Sequence, residues 1–280
     1  MQLVAEINAS LDRKLTLVSA SAGFGKTTLV SEWSRQADRA VTWFSIDRGD
    51  NDVVRFLSYL IAALQHIKSG FGYEGLEMLD GTHSPSVQKL LVSLINEIDE
   101  QLPPSVLVLD DYYLVDNREV HEAVEYLLEN LPDNLHLIIA TRADPPWSIA
   151  RLRVSNQMTE IRVEDLRFDS SQVDEFLNQV MGLGLSTVQV TDLDRRTEGW
   201  AAGLQMAALS MRGKVDVDEF IRSFAGSHRF ILDYLIEEVL SQQTRQVQEF
   251  LLRTSILERL SAPLCDAVRS QDDSQESLVV

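Results

Sequence analysis

The chain has 280 residues, which is enough for one to three domains with a substantial core. It contains 25 Lys and Arg residues against 43 Asp and Glu residues, a formal net charge of −18, and such an acidic surface repels DNA and anionic membranes. A single cysteine excludes an internal disulfide, no apolar run approaches the ~20 residues of a membrane span, and no signal-peptide pattern is present. We therefore expect a cytoplasmic chain that contacts no membrane and does not itself bind DNA.

The first predicted elements are a short helix over residues 1–12 and an apolar strand over residues 15–19. The strand leads into ASAGFGKT at residues 20–27, which matches the phosphate-loop pattern G-x-x-x-x-G-K-S/T except that Ala20 replaces the first glycine. Alanine is the smallest residue with a Cβ and fits there if its φ stays negative. A helix follows the loop, so the order of elements places phosphate groups at a helix N-terminus.

Three residues of the loop carry the most direct chemistry. Gly25 allows the sharp turn that presents backbone N–H groups to phosphate oxygens, Lys26 can reach the β- and γ-phosphates, and the Thr27 hydroxyl can ligate Mg²⁺. The residues of the loop predicted to bind the nucleotide are Ala22, Gly23, Phe24, Gly25, Lys26, Thr27 and Thr28.

Strands and helices alternate through the segment that follows. The further predicted strands are residues 40–46, 106–109, 135–140 and 159–163. The predicted helices between them run from a cap at 50–52 to 65, over 86–99 and over 119–131. The segment 67–85 is rich in Gly, Ser, His and Pro and is predicted to be a loop with a short apolar part. The alternation favours an α/β fold with a parallel sheet.

The third predicted strand ends in two acidic residues. Four apolar residues, VLVL, precede Asp110 and Asp111. The Asp110 carboxylate can hold Mg²⁺, usually through water, and the Asp111 carboxylate can orient or deprotonate an attacking water. The alternative is a solvated acidic strand end, which the phosphate loop upstream makes the weaker interpretation.

Arginines follow the fourth predicted strand. Arg142 is expected at the strand tip, on the edge where ligands bind in open α/β sheets, and its guanidinium can stabilise a γ-phosphate. The alternative is a surface arginine paired with Asp144 or another acid. Arg151 and Arg153 come soon after, and a salt-bridged role for them is at least as well supported as a contact with phosphate.

Two tryptophans, Trp147 and Trp200, are candidates for stacking on adenine, although packing is the commoner role of this side chain. The strand pattern stops near residue 166. The helices predicted beyond it cover residues 170–181, 187–196, 200–211, 216–225, 228–241 and 243–254. We expect an α/β nucleotide domain followed by an all-helical region, and the absence of a closing element suggests a fragment of a longer protein.

Several stretches together resemble a known family. They are LVSASAGFGKTTLVSEW, LVLDDYYLVD, ATRADPP, TEGWAAGLQMAALSM and RTSILERLSAPLCDAV. The resemblance is to the ATPase module of the large LuxR-type, MalT-like transcriptional regulators, which are P-loop NTPases of the STAND class. It covers nearly the whole chain, and the last two stretches make it specific.

The resemblance implies a domain organisation. It implies a P-loop NTPase domain at 1–166, a helical domain at 167–212 and a winged-helix-like domain, possibly truncated, at 213–280. It also implies that another strand lies between the phosphate-loop strand and the strand that ends in Asp110.

The resemblance also implies roles for individual residues. Asp110 would belong to the Mg²⁺ site with Thr27, and Asp111 would activate water. Arg142 would match the sensor arginine after the fourth strand, and Arg153 would be a second arginine in an "LR" pattern. Trp200 follows Gly199 where related proteins carry a Gly-x-Pro motif near the nucleotide, so it is counted with the nucleotide-binding residues although the motif differs.

The function implied by the resemblance is a slow ATPase switch. An ADP-bound form would rest as a monomer, ATP with an inducer would favour self-association, and hydrolysis would reset the switch. Longer relatives add a sensor and a DNA-binding helix-turn-helix. Two alternatives stay open: an AAA-type ATPase that remodels a protein partner, and a non-catalytic nucleotide-binding interaction module, for which Ala20 is the best support.

Overall fold

The computed structural model describes residues 2–80, 87–211, 216–224, 229–257, 259–269 and 271–278. Five predicted elements lie partly outside the described residues: the helices 1–12, 86–99, 216–225 and 228–241 and the loop 67–85. The chain divides into two compact units. The first contains Met1–Gln172 and Glu198–Ala202, and the second contains Val173–Thr197 and Gly203–Val280.

The first unit is built on a parallel five-stranded sheet. Its strands are β1 (Leu15–Ser19), β2 (Ala40–Ser45), β3 (Ser105–Asp110), β4 (Leu135–Thr141) and β5 (Met158–Ile161). They are arranged in the order β2-β3-β4-β1-β5, with every neighbouring pair parallel. The predicted α/β fold is confirmed, and β4 lies between β1 and β3 as the resemblance implied.

The three inner strands are buried along their whole length. Every residue of β1, β3 and β4 is buried, whereas β2 at one edge of the sheet has exposed ends. A parallel sheet is covered by helices on both faces, so its central strands are apolar throughout instead of alternating. This is why VLVL at 106–109 could be recognised as a strand from the sequence.

Helices cover both faces of this sheet. They are α1 (Gln2–Ser10), α2 (Lys26–Ser34), α3 (Val53–Gln65), α4 (Tyr73–Asp80), α5 (Val87–Gln101), α6 (Arg118–Glu129), α7 (Ala150–Val154) and α8 (Val163–Leu166). One apolar cluster packs β1, β3 and β4 against α3, α5 and α6, and a second packs α1 and α2 on the other side. The Asp52 carboxylate caps α3 by accepting from the Arg55 amide at 2.8 Å, in the predicted cap.

Three helices of this unit differ from the prediction. The segment 67–85 was expected to be a loop, but α4 occupies part of it. The short α7 and α8 were not predicted, and α8 begins at Val163, where the predicted fifth strand was expected to end. Leu79 of α4 is buried in the main apolar cluster and Leu76 packs against it, so tertiary packing stabilises a helix whose local sequence is rich in turn-forming residues.

The second unit is helical throughout its described part. The chain enters it within α9 (Ser170–Asp174), which continues as a π-helical turn over Glu175–Val180. The further helices are α10 (Thr187–Thr197), α11 (Ala201–Met211), α12 (Val217–Ser223), α13 (Arg229–Tyr234), α14 (Arg245–Thr254), α15 (Ala262–Arg269) and α16 (Ser274–Ser277). The last two were not predicted. Among the described residues, no helix combines the length and apolarity that crossing a membrane requires.

Candidate nucleotide-binding site

The site is assembled at the carboxyl edge of the sheet. The loop at 20–25 joins β1 to α2, which begins at Lys26. Gly25 lies immediately before α2 with φ +80°, a left-handed conformation that a side chain would strain. Because β1, β4 and β3 are adjacent and parallel, the residues that follow them meet at one edge. The loop is therefore placed beside Asp110 and Arg142.

Ala20 fits the loop although it departs from the motif. It is buried and belongs to the apolar cluster around α1 and α2. Its amide donates to the Thr141 carbonyl at 3.2 Å, which continues the β1–β4 pairing by one residue. Ala20 is not among the residues with positive φ. The methyl group is thus accommodated by packing, and the glycine of the usual motif is not required at this position.

Lys26 is held by the loop itself. Its amino group donates to the carbonyls of Ala20 at 2.7 Å and Ser21 at 3.1 Å, and the side chain is buried. The pKa of Lys26 is lowered to about 8, chiefly by burial and then by the charge of Arg142, while the aspartates at the end of β3 oppose the change. Because its hydrogen-bond partners among the described residues are neutral carbonyls, the buried amino group of Lys26 is placed to donate to an anionic oxygen.

Thr27 and Asp110 lie side by side. The Thr27 hydroxyl donates to Asp110 Oδ1 at 3.1 Å, and the same oxygen accepts from the Asp111 amide at 3.0 Å. Burial raises the pKa of Asp110, and the neighbouring charge of Asp111 acts in the same direction. The structure therefore brings together the hydroxyl and the carboxylate that were predicted to form a metal site.

Asp111 adopts a backbone conformation that is uncommon for its residue type. Its φ is +56°, and it precedes a 3₁₀ turn over Tyr112–Leu114. Aspartate tolerates the left-handed region better than most residues, yet the strain is typical of functional positions. Its negative charge raises the pKa of Lys26, so the two side chains are close enough to interact electrostatically.

Arg142 is positioned by an aromatic ring that the sequence analysis missed. Its guanidinium lies over the Tyr113 ring, 4.2 Å from the centroid, and its charge lowers the pKa of Lys26. A cation–π contact of this kind orients the guanidinium while leaving its charge intact. The pair YY after the two aspartates was the only available signal, and it does not by itself indicate a partner for Arg142.

Asn51 supports the turn that follows Asp111. Its side-chain oxygen accepts from the amides of Asp116 at 2.7 Å and Asn117 at 3.0 Å, and its side-chain nitrogen donates to the Leu114 carbonyl at 2.8 Å. The loop after β2 and the loop after β3 are thus joined by one amide. Sequence reasoning had assigned this residue only to the cap of α3.

The remaining loop residues lie where the motif predicts. Ala22 and Gly23 are partly exposed, Phe24 packs on the apolar cluster around α1 and α2, and Thr28 is exposed in the first turn of α2. The placement is compatible with backbone contacts to phosphate.

Trp200 reaches the loop, but through its indole nitrogen. Nε1 donates to the Ala22 carbonyl at 3.0 Å, and the Ala202 amide donates to the Gly23 carbonyl at 3.0 Å. Trp147, the other candidate for stacking, is buried with its indole nitrogen 3.3 Å from the Tyr112 hydroxyl. Packing therefore accounts for Trp147.

Arg153 is not brought to the loop. It makes two hydrogen bonds to the carboxylate of Glu160 in β5, at 2.7 and 2.8 Å. The bonds to Arg153 and the contact with Arg162 lower the pKa of Glu160 to about 2. Arg162 also pairs with Asp144, which accepts from the Ser19 hydroxyl at 3.1 Å. The salt-bridged alternative describes Arg153, and its predicted contact with the nucleotide is not supported by this geometry.

The Thr27 hydroxyl of α2 and the Asp110 carboxylate at the end of β3 fit a magnesium ion. A neutral hydroxyl and a buried carboxylate in contact are hard oxygen ligands of the kind that Mg²⁺ takes. Thr27 and Asp110 are the residues that would hold it.

The comparisons with known proteins agree with this geometry. Residues 236–279 match the MalT winged helix domain family. The chain is 34% identical over 279 residues to the HTH-type transcriptional regulator MalT of Serratia proteamaculans, and 34% identical over 280 residues to that of Yersinia enterocolitica. Each match covers 99% of this chain. This chain is a MalT-like module with the P-loop ATPase fold.

The MalT-like module spans 31% of the length of these relatives. A solved STAND ATPase with a tetratricopeptide repeat sensor, from Pyrococcus horikoshii, superimposes with a TM-score of 0.56 at 14% identity. That match covers 99% of this chain and 38% of the other. At this identity the likeness concerns the fold, and it supports the assignment of the module to the P-loop NTPases.

Proposed function

We propose that the chain is the ATP-binding and slowly hydrolysing switch module of a MalT-like transcription regulator in the cytoplasm. The ADP-bound form would be the resting state. ATP, together with an inducer of unknown identity, would favour self-association. The observation that carries the proposal is the hydrogen bond between Thr27 and Asp110 beside the buried amino group of Lys26.

Lys26 would exchange weak partners for a strong one when a nucleotide binds. Its amino group now donates to two neutral carbonyls, and burial disfavours its charge. A phosphate oxygen is a charge-assisted acceptor and offsets that cost. The backbone N–H groups of the loop and the N-terminus of α2 would add donors for the same anion.

The strand end beyond the loop would supply the rest of the chemistry. Mg²⁺, when bound, neutralises phosphate charge. The Asp111 carboxylate would hold the attacking water in line, and Arg142 on the Tyr113 ring would stabilise the charge of the transferred phosphoryl group. An ATP-bound form has a γ-phosphate for Arg142 to contact, and an ADP-bound form does not, so the two nucleotides can favour different states.

The domain organisation and partners belong to the same proposal. We propose the domains 1–166, 167–212 and 213–280, and the winged helix match at 236–279 falls in the third. We also propose that this chain does not bind DNA, because its net charge is −18. DNA recognition would belong to other parts of the longer regulators.

A variant of Arg142 tests the catalytic assignment. In Arg142→Ala, ATP hydrolysis should fall by roughly 10²- to 10³-fold, the usual cost of removing one electrostatic stabiliser. ADP affinity should change little, since ADP lacks the phosphate that Arg142 is proposed to contact. The matched control is Arg118→Ala, whose side chain is 90% exposed in α6. An equal loss of ADP affinity and hydrolysis would contradict a role specific to the γ-phosphate.

Three measurements on the purified chain test the switch as a whole. The retained nucleotide is identified by chromatography, turnover is measured as phosphate release with Mg²⁺-ATP, and mass is measured by light scattering with ADP and with a non-hydrolysable ATP analogue. The proposal predicts retained ADP, slow turnover and greater mass with the analogue. Rapid continuous turnover would favour the remodelling ATPase, and binding without hydrolysis would favour the interaction module.

A further inference from the structure

Five residues of the first unit, Glu198–Ala202, lie between two stretches of the second. The chain leaves the second unit at Thr197 and returns to it at Gly203. Within this segment, the Trp200 indole and the Ala202 amide each donate to a carbonyl of the phosphate loop, at 3.0 Å in both cases. The segment is therefore hydrogen-bonded to the backbone of the candidate nucleotide site.

The backbone of Phe168 fixes the entry to this segment. Its amide donates to the Gly199 carbonyl at 3.0 Å, and Gly199 adopts φ +69°. A Cβ on Gly199 would lie 2.3 Å from the Phe168 carbonyl oxygen. The turn thus admits only glycine, and it holds the following tryptophan in place against the loop.

The two acceptors belong to peptide groups whose other ends face away from the segment. A peptide group is planar, and no peptide bond in the described part of the chain is cis, so the N–H of each group points opposite to its C=O. The Ala22 carbonyl shares its peptide with the Gly23 amide, and the Gly23 carbonyl shares its peptide with the Phe24 amide. These two amides therefore point away from the segment 198–202, and the phosphate-loop pattern assigns the backbone N–H groups of this stretch to the phosphate.

Hydrogen bonds in such a chain strengthen one another. When a phosphate accepts from the N–H of a peptide group, the carbonyl of that group becomes a stronger acceptor, by about 10–30% per bond. In this protein, phosphate binding would strengthen the hydrogen bonds that the Trp200 indole and the Ala202 amide donate to the loop. The Ala202 amide lies in the first turn of α11, where backbone donors have no partner within the helix.

We propose that the peptide groups 22–23 and 23–24 connect phosphate binding to the segment 198–202, with Trp200 as the positioning residue. The inference rests on the proposed nucleotide binding and assigns a regulatory role at the same site. Nucleotide binding strengthens the hydrogen bonds from Trp200 and Ala202. The segment 198–202, through which the chain leaves and re-enters the second unit, becomes more rigid as a result. Coupling is reciprocal, so loss of the indole donor weakens nucleotide binding.

The test uses the full chain labelled with ¹⁵N, with Mg²⁺-ADP as the probe. Trp200→Phe assigns the Trp200 indole resonance by its disappearance and retains an aromatic ring. On saturation with ADP, that resonance in the unchanged chain should move downfield, and hydrogen exchange of the Ala202 amide should slow. Trp200→Phe should bind ADP about three- to tenfold more weakly, the range expected for one hydrogen bond.

Trp33→Phe is the matched control. It also removes an indole donor, which bonds the Asn8 side chain at 2.7 Å and not the loop, and it should bind ADP like the unchanged chain. If Trp200→Phe binds ADP normally and neither NMR signal responds, the connection is wrong while nucleotide binding stands. If the unchanged chain binds no ADP, the proposed function fails first and the inference falls with it.

Discussion

His136 is a fully buried histidine in the middle of the sheet. Its Nδ1 lies 2.7 Å from the Arg13 carbonyl, and its Nε2 lies 2.9 Å from the Thr16 hydroxyl, which in turn lies 2.7 Å from the Ser10 hydroxyl. Burial lowers the pKa of His136 to about 4. The carbonyl requires Nδ1 to carry the proton, so the neutral ring accepts from Thr16. The native state therefore contains an uncharged imidazole.

This burial makes the stability of the first unit depend on pH. Below about pH 6.5 the unfolded chain binds a proton at His136 that the folded chain excludes, so stability falls as the pH drops from about 6.5 toward 4 and is independent of this group above that range. Protonation of His136 in the unfolded chain lowers the free energy of unfolding by about 3 kcal/mol at most. Urea unfolding at several pH values measures it.

Two variants distinguish the effect of His136 on stability from the effect of carboxylates that titrate in the same pH range. His136→Asn should show a shallower fall of unfolding free energy between pH 6.5 and 4.5 than the unchanged chain. His66→Asn, at an exposed position beyond α3, should keep the original slope. Equal slopes in all three proteins would show that His136 is not buried in its neutral form.

The turn between α10 and α11 is the element on which the loop contacts depend. Replacing Gly199 by alanine strains the backbone and also drives a Cβ against the Phe168 carbonyl. Gly70→Ala isolates the first effect, because Gly70 has φ +81° and open space around it. We expect Gly70→Ala to cost about 1–2 kcal/mol and Gly199→Ala at least about 3 kcal/mol. The midpoints of urea unfolding compare the two, and an equal cost would contradict the close approach.

Elements with strong local signals could be predicted from the sequence. Strand β3 has a continuous apolar run, and helix α3 has a capped N-terminus and one apolar face. Both elements were predicted. Helix α4 could not be predicted, because its two leucines are buried only by packing against the main apolar cluster, in contact with α3 and α5. The same limit applies to side-chain partners. Tyr113 meets Arg142 because β3 and β4 are neighbours in the sheet, and Glu160 meets Arg153 because of the turn between α7 and β5, and neither arrangement can be read from the spacing of residues.

At the scale of the whole molecule, an anionic nucleotide must bind a chain of net charge −18. The attraction must therefore come from positive charges at the site itself. Lys26 is buried in the loop, and Arg142 is close enough to lower the pKa of Lys26. The P-loop fold and the match to MalT regulators make this site the centre of the molecule's proposed activity.

The most direct test of the central claim is calorimetric titration of the nucleotide-stripped chain with Mg²⁺-ADP and Mg²⁺-ATP. The unchanged chain and Lys89→Ala, which alters an exposed lysine of α5, should bind both nucleotides. Lys26→Ala should lose roughly 10- to 100-fold in affinity, the range for a charge-assisted hydrogen bond. Equal affinity in Lys26→Ala, or no binding by any of the three proteins, would contradict the assignment of the loop as a nucleotide site.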